Sequence, residues 1–148
     1  MPKTLYDAAA RAGLAARFSR LQPTAPARWG KFTAPRMVSH LIDSVRMATG
    51  ELPIKARPSI LGNRLVRYLV IYHLPWPKGA PTAPELLARA PESWTADVAT
   101  LQLELERAAA RGPHATWAAH PAFGDISGAT WGVLIHRHVD HHLAQFGV

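Results

Sequence analysis

The amino-acid sequence predicts an all-α protein, a four-helix bundle, and three observations lead to this prediction. Four segments carry apolar residues at the spacing of one helical face. Prolines separate these segments from one another, as is typical of helix boundaries. The connection between the second and third segments is long and rich in proline, and a long crossover is a known way to link helices in such a bundle. We therefore expect a single domain over residues 1–148.

The first two predicted helices are marked by candidate caps at their ends. The first covers residues 6–21 and has Asp7 as a candidate N-cap. The second covers residues 34–48, follows Thr33 as its N-cap and is closed by Gly50. The apolar positions that give the first helix its periodicity are Leu14, Phe18 and Leu21.

The third and fourth predicted helices also have clear boundaries. The third covers residues 93–111 and stops at Gly112, which is followed by a proline. The fourth covers residues 128–145, with Ser127 as a candidate cap. The apolar stripe of the third helix consists of Trp94, Val98, Leu101, Leu105 and Ala108.

The crossover between the second and third helices contains many prolines, so we expect it to be mostly irregular, above all over residues 75–84. Residues 60–72 are predicted to form a short additional helix. A strand is the alternative for this segment, because valine and tyrosine alternate with other residues from Val66 to Tyr72.

The composition excludes several classes of protein. The chain has no cysteine, which excludes a disulfide framework, a thiolate metal site and a cysteine nucleophile. A hydrophobic fraction of 48% and a charged fraction of 18% argue against disorder. Charges run through residues 1–21, so no signal peptide is expected there. The most apolar stretch, residues 65–74, is shorter than the ~20 residues that span a bilayer. We expect a cytoplasmic protein that does not enter a membrane.

The formal net charge is +7, which is compatible either with a nucleic-acid or anion partner or with a basic surface that has no specific partner. The Lys and Arg residues are scattered rather than clustered, so we predict no specific binding of nucleic acid. Arg64 and Arg67 are the candidates to rim a site for an anionic ligand. A homodimer is a further expectation, because two-fold dimers are the commonest assembly.

The histidines are the most informative polar residues, and helical geometry divides them. On the last helix, His138 and His142 are one turn apart and about 40° from each other on the apolar face. His141 lies on the flank of that face, and His136 lies on the opposite side. On the second helix, His40 shares the apolar face and should also point inward.

Three imidazoles that enter one interior from two helices predict a metal site. A buried imidazole without a partner is unfavourable, because its nitrogens lose water. A divalent ion accepts one lone pair from each neutral ring, while the other N–H finds a second acceptor. Three protein ligands leave a position for water or substrate, which is typical of a catalytic site rather than a closed structural one. The alternative is that the histidines are hydrogen-bonded core residues that hold no metal.

Several segments match a known family. The chain resembles the DinB-like (YfiT-like) superfamily, in the branch described as a domain of unknown function, and the resemblance covers nearly all of the sequence. The most specific segments are the Pro-Trp-Pro-Lys-Gly segment and the C-terminal one. The matching segments are residues 29–31 (WGK), 37–41 (MVSHL), 75–82 (PWPKGAPT), 120–124 (HPAFG), 131–134 (WGVL) and 138–148 (HVDHHLAQFGV).

This resemblance implies an up-down-down-up four-helix bundle and a metal triad of one histidine from the second helix and an H-x-x-x-H pair from the fourth. Carried over here, the triad is His40, His138 and His142. The usual metals of the family are zinc and nickel, and its characterised relatives include transferases and isomerases that use a low-molecular-weight thiol such as bacillithiol or mycothiol. The resemblance supports a metal better than it supports any one reaction.

The functional hypothesis is a metal-dependent enzyme that acts on a small molecule, as a thiol-dependent transferase or a hydrolase. The sequence offers no obvious general base, since Asp43 is on the flank of its helix and Asp140 faces away from the core, and this favours thiol transfer slightly. The alternatives are a non-catalytic metal-binding or stress-response protein and a metal-free interaction module. Residues proposed for the pocket or for contact with the ligands are His141, Gln145, Trp131 and His120, the last of which is otherwise explained as part of a structured turn.

Overall fold

The computed structural model describes residues 1–148 and contains five α-helices, two short 3-10 helices and no strand. The prediction of an all-α protein is therefore confirmed. The helices are α1 (Ala8–Arg20), α2 (Ala34–Thr49), α3 (Arg64–Tyr72), α4 (Trp94–Arg111) and α5 (Gly128–Gln145). The four helices predicted from periodicity correspond to α1, α2, α4 and α5.

The predicted caps are present at the starts of α1, α2 and α5 and at the end of α2. The Asp7 carboxylate accepts from the backbone N–H of Ala9. The Thr33 hydroxyl accepts from the backbone N–H of the third residue of α2, and the Ser127 hydroxyl accepts from that of the third residue of α5. Gly50 ends α2 with a φ of 88°, a left-handed conformation that favours glycine. Ser93 precedes α4 without a capping hydrogen bond from its side chain.

The segment 60–72 is helical, but in two pieces. Asn63 separates a 3-10 helix, Ile60–Gly62, from α3, because its side chain accepts from the backbone N–H groups at the start of α3. The strand alternative is wrong. At the other end, the Arg137 guanidinium donates to the carbonyls of Val70, Ile71 and Leu74, and it therefore ties α3 to α5.

The crossover beyond α3 is irregular, as its prolines predict. Residues 73–83 form turns and extended chain, followed by the 3-10 helix Pro84–Leu87, which packs on α2. Its later part is held by an ion pair in which Arg89 Nε lies 2.7 Å from the carboxylate of Asp43, a residue that is 3% exposed. The crossover therefore covers α2 on the side where His40 lies, because Leu86 accepts from this ring.

One hydrophobic core fills the space between the helices. α2 contacts α4 and α5, α1 contacts α4 and α5, and α3 contacts α5. The buried Glu104 of α4 forms an ion pair with Arg46 of α2 at 2.8 Å, which links the two helices. No helix is both long enough and apolar enough to cross a membrane. The largest side chains that are fully buried in this core are Trp131, Phe18, Leu5, Leu14, Met37, Leu41, Ile42, Ile71, Leu101 and Leu143.

Candidate metal centre

Two helices in contact bring three histidines together. His40 lies in the middle of α2, and His138 and His142 lie one turn apart on α5. The Nε2 atom of His138 is 3.1 Å from the Nε2 of His40 and 3.1 Å from the Nε2 of His142. One nitrogen from each ring lies within 4.8 Å of the other two. The group that the helical faces select is therefore formed, and it is close enough to hold a metal ion.

Hydrogen bonds at the outer nitrogens fix the tautomers of two of these rings. His40 Nδ1 is 3.2 Å from the carbonyl oxygen of Leu86, which can only accept, so the proton of His40 is on Nδ1. His142 Nδ1 is 2.8 Å from Gln145 Oε1, and Gln145 donates its Nε2 to the Trp29 carbonyl at 2.8 Å, which orients the amide. Both rings therefore turn an Nε2 lone pair toward His138.

This arrangement leaves an electrostatic conflict that a cation resolves. His138 Nε2 can donate a proton to only one of its two neighbours, so at least one of the two 3.1 Å contacts between ring nitrogens has no hydrogen bond. Around a tetrahedral ion with nitrogens at 2.0–2.1 Å, adjacent ligand nitrogens lie about 3.4 Å apart. Two of the three separations in the cluster, at 3.1 Å, are close to this value, and all three lie within 4.8 Å. The donor set and its spacing thus fit a zinc-like divalent ion.

Burial keeps the three rings neutral. It lowers the pKa of His138 well below its usual value, and positive charge on His142 or His40 would lower it further. Burial and the proximity of His40 lower the pKa of His142 to about 3. Burial also lowers the pKa of His40, against a smaller opposing effect of the Leu86 carbonyl. At neutral pH the rings are therefore in the protonation state that metal ligation requires.

The histidine cluster lines a cavity of about 800 Å³. No Asp or Glu side chain lines this cavity, and its charged side chains are Lys31, Arg36 and Arg57. Arg36 donates to the carbonyls of Leu87 and Arg89, Arg57 is paired with the Glu85 carboxylate at 3.2 Å, and Lys31 is exposed. Because basic groups are present and carboxylates are absent, the cavity suits an anionic or electron-rich ligand. Its aromatic lining consists of Trp29, Phe32, Trp76, Phe123 and Trp131, together with the rings of the histidines.

All four residues proposed for the pocket or for ligand contact line this cavity. Only Gln145 is hydrogen-bonded to one of the three clustered histidines. The His141 ring packs against the rings of Trp29 and Trp76, with centroids 5.7 and 5.8 Å apart. Trp131 donates its indole N–H to the Ala118 carbonyl and forms a wall. His120, in the loop before α5, packs against Trp131.

His136 lies on the side of α5 away from the cluster, as its helical phase predicts. It is nevertheless only 5% exposed, because α1 and the N-terminal segment cover that side of α5. It lines a second, smaller cavity of about 270 Å³ with Lys3, Asp7 and Arg17. Asp140 faces outward and pairs with Arg17. The two sides of α5 are therefore both buried, but only one carries the histidine cluster.

The suggestion that Arg64 and Arg67 rim an anion site is wrong. Arg67 donates to the carbonyls of Phe123 and Asp125 at 3.0 Å, and neither arginine lines the cavity. A run of spaced arginines does not reveal which guanidinium groups are engaged by backbone carbonyls. The basic groups at the cavity come instead from the loop before α2, from α2 itself and from the crossover.

Sequence reasoning missed the contacts made by irregular segments. The Leu86 carbonyl reaches His40 from the 3-10 helix of the crossover, and no residue type or spacing announces such a contact. Phe32 packs on His40 and His142 with centroids 5.1 and 5.5 Å apart. Its position just before the N-cap of α2 was the only available signal. Lys78 lies over the ring of Trp29, a residue that lines the cavity, and its Nζ is 4.8 Å from the ring centroid.

The fold and the site define an all-helical protein with a histidine group, built from two helices, that is close enough to hold a metal ion. Comparison with known proteins adds no family to this description. No family model, no curated protein and no solved structure matches the chain.

Proposed function

We propose that this chain binds one divalent metal ion, zinc or nickel, through His40, His138 and His142, and that it is a metal-dependent enzyme acting on a small molecule. One observation carries the proposal: His138 Nε2 lies 3.1 Å from the Nε2 atoms of both His40 and His142, and the outer nitrogens of these two rings are hydrogen-bonded to acceptors. Core histidines that bind no metal have no reason to turn lone pairs toward one another.

Room for a further ligand beside the three histidines supports a catalytic role over a structural one. The chain supplies three nitrogen ligands, and the cavity of about 800 Å³ adjoins them, so a further ligand has room to enter. When bound, such an ion lowers the pKa of a coordinated water or thiol and polarises a carbonyl. The protein's own part is to keep the imidazoles neutral and oriented, and to surround the bound molecule with aromatic walls.

The side chains of the cavity favour a thiol-dependent transferase over a hydrolase. A hydrolase would be helped by a carboxylate that takes a proton from water, and no carboxylate lines the cavity. Asp43, the nearest candidate on α2, is paired with Arg89. A thiol bound at an ion held by the three histidines would need no such base, and the cavity's basic side chain Lys31 would favour its anionic form. The resemblance to DinB-like proteins, with their thiol-dependent members, supports the same choice.

The metal assignment is tested by elemental analysis of purified protein and of two variants. We expect about one equivalent of metal in wild type and a loss of stable binding in His138→Ala, because this ring sits between the other two. His136→Ala is the matched control: it removes a buried histidine from the same helix on the side away from the cluster, so its metal content should equal that of wild type. Equal metal loss in both variants would contradict the assignment.

The enzyme assignment is tested by loading the protein with cobalt or nickel and titrating small thiols. A thiolate charge-transfer band that appears in wild type and not in His138→Ala is the expected result. If no thiol, water-derived or other exogenous ligand reaches the metal, the site is closed, and a non-catalytic metal-binding or stress-response role replaces the enzyme. A chain that folds and takes up no metal at all would leave the interaction-module alternative.

A further inference from the structure

The imidazole of His120 is fixed by the tight turn that precedes α5. The turn is closed by two backbone hydrogen bonds of 2.9 Å between His120 and Gly124. Inside it, His120 Nδ1 lies 3.1 Å from the backbone nitrogens of Ala122 and Phe123. Both of these groups are donors, so Nδ1 must be the accepting atom and the ring proton must be on Nε2. The turn therefore fixes the tautomer of the ring as well as its position.

The remaining N–H of this ring has no partner within the protein. No side chain or carbonyl accepts from His120 Nε2, although the ring is packed between Phe123 and Trp131 with centroid separations of 4.5 and 5.4 Å. His120 lines the same cavity as the histidine cluster. Burial lowers its pKa to about 4, so it is neutral at physiological pH. Because His120 is only partly buried, this neutral donor, held in one place, is open to water or to a molecule bound in the cavity.

A role confined to the turn does not require this side chain. The two backbone N–H groups need only one accepting atom, and Asn or Asp provides such an atom in turns of this kind. The imidazole adds a second polar atom on the other side of the ring, and the residue lines the cavity. That second atom is what a ligand would contact.

We propose that His120 is a positioning residue that donates its Nε2–H to a carbonyl or carboxylate oxygen of the substrate. The sulfur atom of the same molecule faces His40, His138 and His142. The proposal rests on the function proposed above, and it narrows the substrate class to small thiols that carry a carbonyl acceptor. No covalent step is assigned to the ring, because its accepting nitrogen is engaged by the backbone.

The spacing of the two ends sets the shape of this ligand. Trp131, on which His120 packs, precedes His138 by two helical turns, which is about 10 Å along the axis of α5. Leu134 and Ile135 lie between them on the helix and line the cavity. The ligand should therefore have an apolar chain of several bonds between its sulfur and its carbonyl oxygen.

The test uses cobalt-loaded protein and two series of probes: methyl esters of ω-mercapto acids of increasing chain length, and alkanethiols of matched length. Dissociation constants are read from the thiolate charge-transfer band. At the best chain length, we compare the dissociation constant of the alkanethiol with that of its matched ester. The ratio of the two should be about fivefold larger in wild type than in His120→Asn, which is the contribution of one hydrogen bond. Asn keeps an acceptor for the turn but is too short to present the donor. His114→Asn, in the exposed loop after α4, is the matched control and should behave as wild type.

The outcomes of this titration separate the inference from the proposed function. If both series bind and the preference is the same in wild type and His120→Asn, His120 does not position the ligand, and the metal-dependent function stands. If no thiol gives a band in wild type, the proposed function fails and the inference fails with it.

A second measurement needs no variant and uses zinc-loaded protein. Two-bond proton–nitrogen correlation spectra of the imidazole rings show which nitrogen of His120 carries the proton. The expected pattern is a protonated Nε2 whose proton resonance shifts when the mercapto ester binds, and not when the alkanethiol does. A ring protonated on Nδ1, or a resonance unaffected by either probe, would overturn the inference.

Discussion

Gln145 links a candidate metal ligand to the loop before α2. Its amide accepts from His142 and donates to the Trp29 carbonyl, both at 2.8 Å. Gly30 permits this approach, because a Cβ at that position would lie 2.7 Å from the Gln145 Nε2. The amide therefore orients the His142 ring from a position that offers no atom to the metal.

We predict that Gln145→Leu weakens zinc binding by about 10- to 100-fold, because the His142 ring loses the partner that fixes its tautomer and its orientation. Competition against a chromophoric chelator gives the affinity. Gln102→Leu, the same change at an exposed position of α4, is the control and should leave the affinity unchanged. A wild-type affinity in a folded Gln145→Leu protein would show that the hydrogen bond does not orient the ring.

The neutral buried histidines also predict how the metal-free protein responds to acid. In the unfolded chain a histidine titrates near pH 6.5, whereas in the folded protein burial lowers the pKa of His120 to about 4 and that of His142 to about 3. As the pH falls below about 6.5, the unfolded chain binds protons that the folded protein excludes. The free energy of unfolding should therefore fall by about 1.4 kcal/mol per pH unit for each such histidine.

Urea unfolding of chelator-treated protein over a series of pH values measures this slope. In His120→Asn the free energy of unfolding should change less steeply between about pH 6 and pH 4.5. The difference in slope should be about 1.4 kcal/mol per pH unit, the contribution of one histidine. A free energy of unfolding that stays constant over this range would mean that the rings are not held neutral in the folded state.

Two glycines within helices differ in the space that surrounds them. Gly132 of α5 lies against the N-terminal segment, where a Cβ would come closer than 3.0 Å to the Tyr6 ring and the Thr4 hydroxyl. The backbone N–H of Leu5 also donates to the Gly132 carbonyl at 2.9 Å. Gly13 of α1 lies at the surface, and a Cβ added there would meet no atom within 4 Å.

We predict opposite effects for the same substitution at these two glycines. Gly13→Ala should stabilise the protein by up to about 1 kcal/mol through helix propensity. Gly132→Ala should destabilise it by about 1–3 kcal/mol, because the N-terminal segment must move away from α5. Chemical denaturation of the two variants beside wild type measures both. A stabilised Gly132→Ala would show that the contact is loose enough to accept a methyl group.

The helices themselves were the most predictable part of the fold, because their signals are local. Asp7, Thr33 and Ser127 cap helices through contacts with residues two or three positions away, so a short stretch of sequence contains the whole interaction. The helical phase placed His40, His138 and His142 inward for the same reason. Asn63 has an equally local capping signal, and it was missed because the hydrophobic pattern runs through it.

The contacts that could not be predicted are made by irregular segments that pack against the helices. The contact of the Leu86 carbonyl with His40 spans 46 positions, and any residue type at position 86 would offer the same carbonyl. Arg67 likewise donates to the backbone carbonyls of Phe123 and Asp125, which are far from it along the chain. Backbone groups carry no sequence signal, so such partners become visible only when the path of the chain is known.

At the scale of the whole molecule, the net charge of +7 bears on partners rather than on fold. Several cations are engaged within the protein, including Arg46, Arg89 and Arg17 with carboxylates and Arg137 with carbonyls. We predict only weak binding to DNA, with an affinity that collapses between about 50 and 200 mM salt as counterion release requires. Fluorescence anisotropy with two unrelated duplexes tests this. Tight, sequence-selective binding at physiological salt would contradict it.

The distance along the chain between His40 and His138, 98 positions, has a consequence for rates. A metal ion held by both would connect the second helix to the last one, and its ligands come together only when the chain is almost fully folded. Such an ion stabilises the native state without stabilising the folding transition state, so it should slow unfolding and leave folding nearly unchanged. In a cell, a bound metal would then matter chiefly through the lifetime of the folded chain, since each opening that exposes the core to proteases would first require the ion to leave.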